Sequence, residues 1–275
     1  MCRPWASLPE WNEAVQWRMC REASARMNGK KTACVVLPTY NEAENIPILI
    51  PKILEEAGST PGYRVLVLVV DDASPDGTAR EVERLSRVHP EVFLLSGKRQ
   101  GIGAAYLRGM THALKAFGPD LVLQMDADLQ HDPALLPLLI RACAEGADIV
   151  IGSRLVPGGG MPGLSGVRRA MTVLANRVLF HLNACGSPRD FTSGYRCIRA
   201  SLLTDSVLSD RLPRGHAFLW VLLLTLLRRG RPKVLEIPLR FVPRRRGASK
   251  LGLTETLGFL HHLGRALFFR GRRRP

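Results

Sequence analysis

Apolar positions in the first half of the chain fall into blocks that predict alternating strands and helices. Five short apolar-rich runs are predicted to be strands, and the aliphatic run at residues 65–70 has the pattern of a strand buried on both faces of a sheet. The segments between them carry apolar residues at helical spacing, as Ile46, Leu49, Ile50, Ile53 and Leu54 show. This alternation predicts an α/β fold with a mostly parallel sheet flanked by helices. The predicted strands are residues 33–37, 65–70, 92–95, 121–125 and 148–151, and the helices include residues 46–54, 82–85, 103–117 and 133–145.

The pattern changes in the second half of the chain. A Gly- and Pro-rich loop at residues 157–166 is long enough to form a lid over a site. Residues 167–183 have the pattern of a basic amphipathic helix. The helical segment at residues 219–227 is apolar nearly all round, which places it either in the core or against a membrane, and the core is the favoured interpretation. A last strand is predicted at residues 234–241.

The central strand run ends in two carboxylates one residue apart, Asp126 and Asp128. Alternate residues of an extended chain point to the same side, and open α/β sheets bind ligands at the carboxyl ends of their strands. Two close carboxylates repel each other unless a cation lies beside them, and Mg²⁺ or Mn²⁺ prefers oxygen ligands. Gln130 adds a third oxygen at the next alternate position. This pattern predicts a metal–diphosphate site, with a solvated turn as the alternative.

A basic, glycine-containing loop at residues 96–103 precedes one of the predicted helices. It is not a dinucleotide-binding fingerprint, because the third glycine is missing and the loop does not follow the first strand. A loop that only starts the helix and a loop that contacts a phosphate or sugar are both compatible with this sequence.

The net charge of +15 is concentrated toward the end of the chain, where residues 244–275 hold nine Lys and Arg against one acid, Glu255. Such a tail favours nucleic acid, anionic lipid or a phosphorylated substrate. Nucleic acid is disfavoured because no binding module is recognised and the acidic loop 71–76 would repel it. Residues 253–275 combine apolar and aromatic side chains with arginines. They are predicted to form an amphipathic helix at an anionic membrane surface, with a terminal helix on the core as the alternative.

The domain boundaries follow from these shifts in composition. Residues 1–30 are interpreted as a dispensable N-terminal arm, residues 31–252 as the catalytic domain and residues 253–275 as a helix and tail. The six cysteines form no Cys-x-x-Cys pair, and we expect them to be reduced in a cytoplasmic protein. No signal peptide is predicted, and no apolar run reaches the roughly 20 residues of a membrane span.

Six ordered motifs at the ends of these elements resemble those of family 2 glycosyltransferases. Within that family they are similar to the polyprenol-phosphate (dolichol-phosphate) mannose synthases, and the resemblance extends over about residues 33–252. The motifs are Pro-Thr-Tyr-Asn-Glu at residues 38–42, Asp-Asp-x-Ser-x-Asp-Gly-Thr at 71–78, Asp-Ala-Asp-x-Gln at 126–130, Gly-Ser-Arg at 152–154, Asp-Phe-Thr-Ser-Gly-Tyr-Arg at 190–196 and Arg-x-x-Gly-x-Ser-Lys-Leu at 244–251.

The resemblance implies a GT-A fold, Rossmann-like in its sheet, and an inverting transfer of mannose from GDP-mannose to a polyprenyl monophosphate. It also implies a divalent cofactor, Mg²⁺ or Mn²⁺, and makes Asp126, Asp128 and Arg154 the candidate catalytic residues. Carried over by position, the nucleoside would be held by Pro38, Tyr40, Glu42, Val70 and Asp72. The diphosphate and metal would be met by Asp126, Ala127 and Asp128, with Asp128 and Gln130 as metal ligands. Phosphates would be contacted by Arg154, Arg244 and Lys250.

The expected lack of membrane-spanning helices resembles the branch of the family whose catalytic subunit has no anchor of its own. That branch implies a peripheral position on the cytoplasmic face of a membrane, the plasma membrane in a bacterium or the ER in a eukaryote, and a small membrane-anchoring subunit as a candidate partner. One departure is Val221, where related sequences often carry an acid. The alternatives are a related enzyme that uses UDP-glucose or another nucleotide-sugar, and an inactive membrane scaffold, against which the intact Asp-Ala-Asp-x-Gln motif argues.

Overall fold

The computed structural model of the protein describes residues 29–183 and 187–242. The predictions for the N-terminal arm up to residue 28, for Arg244 and Lys250, and for the C-terminal helix lie outside the described residues.

Strands and helices alternate along the described chain, as the hydrophobic pattern predicts. Short 3-10 turns lie at Pro133–Leu135 and Ala200–Leu202. The strands are β1 (Lys31–Thr39), β2 (Tyr63–Asp71), β3 (Val92–Ser96), β4 (Leu121–Gln124), β5 (Ile149–Ser153), β6 (Arg196–Arg199) and β7 (Val234–Pro238), and the helices are α1 (Ile46–Ala57), α2 (Thr78–Ser86), α3 (Ile102–Ala116), α4 (Leu136–Ala144), α5 (Gly166–Asn183) and α6 (Ala217–Gly230).

The described strands form one sheet of seven in the order β3-β2-β1-β4-β6-β5-β7. Every neighbouring pair is parallel except the two made by β6, which runs antiparallel to β4 and β5. The α/β prediction is therefore confirmed, and β6 is an element that the sequence analysis missed. Because the other strands are parallel, their carboxyl ends meet at one edge of the sheet, which we call the carboxyl edge. The first residue of β6, Arg196, pairs there with Gln124.

Helices cover both faces of the sheet. One face packs against α3, α5 and α6, and the other packs against α1, α2 and α4. Side chains of β1 alternate between them, so that Val36 joins the first core and Val35 the second. Helix α6 belongs to the first core, with Leu222 and Leu223 fully buried. The core interpretation of this apolar segment is therefore confirmed. None of the helices in the described part of the chain is long and apolar enough to cross a bilayer.

The Gly/Pro loop that the sequence analysis interpreted as a lid is bonded, at its middle residue Gly160, to the segment that follows β7. The backbone N–H of Gly160 donates to the carbonyl of Leu239 at 3.0 Å, and the N–H of Phe241 donates to the carbonyl of Gly160 at 2.9 Å. The chain beyond β7 therefore runs alongside this loop. The strand predicted over residues 234–241 ends at Pro238, and these later bonds replace ladder pairing.

Candidate active site

Asp126 and Asp128 follow β4 at the carboxyl edge, as their place in the sequence predicts. Both residues are partly exposed. In contrast, Met125 before them and Ala127 between them are buried, with 0% and 3% exposure. The alternation expected of an extended chain therefore continues past the end of the strand and leaves both carboxylates accessible to a ligand.

Two residues from different parts of the chain hold Asp126. The hydroxyl of Tyr106 on α3 donates to Oδ1 of Asp126 at 2.9 Å. The backbone N–H of Asp126 donates to Nδ1 of His131 at 3.0 Å, which places the imidazole proton on Nε2. Burial lowers the pKa of His131 and outweighs the opposing effect of the Asp126 carboxylate, so the ring is neutral. Asp126 is thus fixed through its backbone and one carboxylate oxygen.

Gly194, in the segment leading to β6, lies directly against the Asp126 carboxylate. A Cβ atom at this position would lie 3.2 Å from Oδ2 and 3.4 Å from Oδ1 of Asp126. Glycine therefore lets the backbone approach the acid without displacing it.

Gly194→Ala should move the Asp126 carboxylate by a few tenths of an ångström and lower turnover by about three- to tenfold, because small misplacements at a reacting centre are costly. Initial rates of the transfer that the resemblance implies measure this effect. Gly230→Ala is the matched control, because no atom lies within 4 Å of a Cβ there. Equal rates for Gly194→Ala and the control would contradict a role for this close contact.

Asp128 and Gln130 form a tight turn. The N–H of Gln130 donates to Oδ1 of Asp128 at 3.1 Å, and Leu129 between them has a left-handed φ of 63°. A positive φ is uncommon for a branched apolar residue, so the surrounding contacts must hold this turn in place. The amide Nε2 of Gln130 donates to the carbonyl of Val242 at 2.9 Å. This bond orients the side chain so that Oε1 is the atom available to a ligand.

These donors fit a divalent cation that is held jointly with a substrate. Among the described residues, no group of three or more His, Cys, Asp or Glu side chains is placed to bind a metal on its own. Two carboxylates and one amide oxygen are hard oxygen ligands, and Mg²⁺ is typically held by one or two carboxylates, substrate phosphates and water. The site is therefore suited to a metal–diphosphate complex, as the sequence analysis expected.

Arg154, at the end of β5, is held by Asp190. Its Nε and Nη2 donate to the two carboxylate oxygens of Asp190, each at 2.8 Å, and its backbone N–H donates to the same carboxylate at 3.0 Å. Side-chain exposure is 10% for Arg154 and 0% for Asp190. Burial alone would raise the pKa of Asp190, but Arg154 lowers it below its ordinary value. The predicted phosphate-binding arginine therefore reaches the edge already oriented by an ion pair.

The segment that carries Asp190 is fastened from two sides. Glu236 of β7 accepts hydrogen bonds from the backbone N–H groups of Arg189 and Asp190, at 2.8 and 3.0 Å. Asn176 of α5 accepts from the N–H of Phe191 at 2.6 Å and donates to Oγ1 of Thr192 at 2.9 Å. Thr192 in turn accepts from Nη2 of Arg154 at 2.7 Å. Helix α5 is therefore connected to the active-site arginine through two hydrogen bonds.

The residues expected to hold the nucleoside lie at the ends of β1 and β2. Pro38 pairs with Val70 in the parallel ladder, and the guanidinium carbon of Arg99 lies 3.8 Å from the ring centroid of Tyr40. The carboxylate of Asp72 accepts from Nη2 of Arg108 at 2.7 Å. Glu42 is nearly buried and accepts from Nδ2 of Asn45 at 2.6 Å. Tyr40, Glu42 and Asp72 therefore lie at the carboxyl edge with both acids held by protein groups, whereas the side chains of Pro38 and Val70 are buried.

The basic loop before α3 is anchored by another loop. The N–H groups of Gly103 and Ala104 donate to the carbonyl of Arg214 at 2.7 and 3.1 Å. Two amides at the start of the helix are thus satisfied by the protein, which agrees with a loop that starts a helix.

Three functional neighbours of the acidic pair were not identified from the sequence: Tyr106, His131 and Arg196. Arg196 is fully buried, and its guanidinium donates to the carbonyls of Leu219 and Phe191. Burial lowers its pKa to about 10, against the opposing effect of Asp190, so it remains a cation beneath the site. Tyr106 lies within an apolar segment and looks like a core residue, whereas His131 lies between Gln130 and Asp132 and has no local signal. Arg196 ends the 190–196 motif but was not singled out as a site residue.

The fold and the site together have the form of a GT-A glycosyltransferase. The model of glycosyl transferase family 2 matches residues 34–203, and the chain belongs to this family. The chain is 36% identical over 220 residues to undecaprenyl-phosphate mannosyltransferase of Micrococcus luteus, which covers 78% of this chain and 86% of that protein. It is 34% identical over 232 residues to polyprenol monophosphomannose synthase of Mycolicibacterium smegmatis, with 84% of each chain covered.

Solved structures show the same fold at low sequence identity. Glucosyl-3-phosphoglycerate synthase from Mycobacterium tuberculosis, in complex with Mn²⁺ and UDP-glucose, superposes with a TM-score of 0.60 and 21% identity over 98% of this chain and 86% of that one. The mannosyltransferase PcManGT from Pyrobaculum calidifontis, in complex with GDP-Man and Mn²⁺, gives 0.55 and 18% identity over 95% and 72%. These two structural neighbours were thus crystallised with a divalent metal and different nucleotide-sugars.

Proposed function

We propose that the chain is an inverting mannosyltransferase that moves mannose from GDP-mannose to a polyprenyl monophosphate and releases polyprenyl-phosphate mannose and GDP. The observation that carries the proposal is the meeting of Asp126, Asp128, Gln130 and Arg154 at the carboxyl edge. Two relatives that share most of this chain's length are named for mannose transfer to polyprenyl phosphates. Together these findings favour GDP-mannose as donor over UDP-glucose, the alternative.

The acceptor needs little activation. A phosphate monoester has a second pKa of about 6, so at neutral pH it is largely a dianion and already a nucleophile. The enzyme therefore requires no strong general base. Val221, where an acid is frequent in related sequences, packs against the core on α6. Its apolar side chain is compatible with a reaction in which the acceptor arrives deprotonated.

The residues at the carboxyl edge have to bring two anionic groups together and stabilise the departing GDP. Asp126, Asp128 and Gln130 would hold a divalent cation, which when bound would neutralise charge growing on the leaving diphosphate. Arg154 supplies positive charge from a guanidinium that Asp190 already orients, so little reorganisation is needed during the reaction. Positioning and electrostatics then account for most of the acceleration.

Arg244 and Lys250 are proposed as further phosphate contacts on the strength of their motif. Val242, the last described residue before them, accepts the amide hydrogen bond from Gln130. This bond joins the last described residue to the turn formed by Asp128 and Gln130.

The direct test is transfer of labelled mannose from GDP-mannose to a short polyprenyl phosphate, with Mn²⁺, with Mg²⁺ and with EDTA. We expect lipid-linked label with either metal and its loss with EDTA. UDP-glucose is run beside it, and faster transfer from UDP-glucose would replace mannose by glucose in the proposal. No transfer from any nucleotide-sugar would contradict a glycosyltransferase activity on polyprenyl phosphates.

We also propose that α5 contacts the membrane surface where the acceptor resides. Its side chains Val167, Met171 and Leu174 form a stripe at helical spacing with 72%, 52% and 63% exposure. The exposed Arg168 and Arg169 adjoin this stripe, and α5 contains no acidic residue. An apolar stripe beside arginines is suited to an anionic leaflet. A small anchoring subunit is a second candidate for this role.

Flotation with phosphatidylglycerol-containing vesicles tests the membrane proposal. We expect the wild-type protein to float, and the variant Met171→Glu/Leu174→Glu to stay largely in the dense fraction, since two charges would enter the apolar layer. Leu138→Glu is the matched control, because Leu138 is also an exposed apolar residue, at 44%, but belongs to α4 on the opposite face of the sheet. Equal flotation of all three proteins would contradict membrane binding by α5.

A further inference from the structure

Glycines at two positions let helix α3 pack closely against its neighbours. A Cβ atom on Gly109 would lie 2.6 Å from side-chain atoms of Val36 and Val70. A Cβ atom on Gly103 would overlap the carbonyl oxygen of Pro213. Both contacts would be closer than real atoms approach, so the helix can occupy this place only with glycine at these positions. Tyr106 lies midway between them.

Tyr106 is fully buried, and the position of its ring is determined by packing. The ring is stacked on Phe218 with centroids 5.9 Å apart and an interplanar angle of 6°. Its hydroxyl donates to Oδ1 of Asp126 at 2.9 Å. The hydroxyl therefore donates to Asp126 from a ring that packing holds in one position.

The other oxygen of Asp126 has a different environment. Oδ2 lies 3.9 Å from Nε2 of His131, which is longer than a hydrogen bond. The Asp126 side chain is 26% exposed. The carboxylate is therefore asymmetric, with Oδ1 bound to a buried hydroxyl and Oδ2 without a short contact to His131.

We propose that Tyr106 is a positioning residue for sugar transfer. Its hydroxyl donates to Oδ1 of Asp126, so that Oδ2 is the oxygen that meets the metal and diphosphate. The inference rests on the proposed function and adds a residue outside its motifs. Tyr106 would act only through Asp126. Without its hydroxyl the carboxylate could rotate and lose the orientation that the bound complex requires.

Tyr106→Phe tests this proposal because it removes the hydroxyl and keeps the ring that stacks on Phe218. Tyr195→Phe is the matched control. Tyr195 is likewise fully buried, and within the described part of the chain its hydroxyl has no hydrogen-bond partner. Four quantities are compared with the wild type. Two are kcat and KM for the donor, and the third is the Mn²⁺ concentration for half-saturation in the presence of GDP, measured by EPR of free Mn²⁺. The fourth is the urea midpoint of the metal-free protein.

We expect Tyr106→Phe to lower kcat by about 10- to 100-fold, the range for a hydrogen bond to a charged group. The Mn²⁺ half-saturation concentration should rise by about tenfold, while KM for the donor changes less than kcat. Tyr195→Phe should leave kcat and Mn²⁺ binding unchanged. This split separates positioning of Asp126 from general stability, since a purely structural role would lower only the urea midpoint.

Unchanged kcat and Mn²⁺ half-saturation in Tyr106→Phe would overturn the proposal, as would equal losses in Tyr195→Phe. Failure of the proposed function gives a different result. If the wild type transfers glucose and not mannose, the same comparison is made with UDP-glucose as donor. If it transfers no sugar, the Mn²⁺–GDP titration still decides whether the Tyr106 hydroxyl supports binding at Asp126.

Discussion

Asp128→Ala should reduce the rate of sugar transfer by about 10²–10³-fold, comparable to the loss of one preorganised electrostatic group. The reason is that Asp128 is one of the two carboxylates proposed to hold the cation and is held by the turn that also contains Gln130. Without it, a cation would lose a ligand and the leaving diphosphate would lose its compensating charge. Turnover at saturating donor and Mn²⁺ measures the effect.

Asp132→Ala is the control for this variant. Asp132 is an exposed acid four positions further along, where it accepts a hydrogen bond from the N–H of Ala134. Its loss should cost about 1 kcal/mol of stability as a helix-type cap and leave turnover near that of the wild type. A rate for Asp128→Ala within threefold of the wild type, or a wild-type rate that EDTA does not lower, would count against the metal role.

Asp190→Asn should lower the free energy of unfolding by about 3–5 kcal/mol, the usual effect of removing one partner of a buried ion pair. The substitution keeps the shape of the side chain but leaves the guanidinium of Arg154 in a buried place without its counter-charge. Turnover should fall as well, because an Asn side chain has one acceptor oxygen and can keep only one of the two bonds that orient the Arg154 side chain. Urea unfolding measures the first effect.

Glu81→Gln provides the comparison for an exposed ion pair. Glu81 pairs with Arg84 on α2, and these side chains are 32% and 59% exposed. A surface pair of this kind contributes about 0.3–0.5 kcal/mol, so the two variants should differ clearly. A loss for Asp190→Asn no greater than that for Glu81→Gln would show that the Arg154 pair does not stabilise the fold.

The acid dependence of this pair has a definite sign. Because Arg154 holds the pKa of Asp190 below its ordinary value of 3.8, the pair's contribution is complete above that value and is lost as pH falls through the lower folded value. The wild type should therefore lose more stability than Asp190→Asn as pH falls below about 3.8.

Much of the fold was predictable because its strands are buried on both faces and its helices are amphipathic. Runs such as Val67 to Val70 have no polar residue, and only a parallel sheet covered by helices accommodates them. Strand β6 escaped prediction because it has four residues, of which two are arginines. Its place between β4 and β5 depends on pairing between segments far apart in the chain, which local pattern does not encode.

The residues of the site were likewise predictable only in part. Asp126 and Asp128 could be identified because they follow an apolar strand, and strand ends meet at one edge. Tyr106 could not, because in sequence it is one more large residue on the buried side of α3. The Arg154–Asp190 pair also has no local signal, since its partners are 36 residues apart and meet only when β6 enters the sheet. Contacts made by tertiary packing were therefore the part that sequence reasoning missed.

The most direct test of the central claim is a crystal structure of the protein with Mn²⁺ and GDP, with anomalous scattering recorded for manganese. The proposed function predicts an anomalous peak within about 2.5 Å of the Asp128 carboxylate and of Oε1 of Gln130, in contact with the diphosphate. GDP bound at the carboxyl edge with no cation between its diphosphate and these residues, or manganese bound elsewhere, would contradict it.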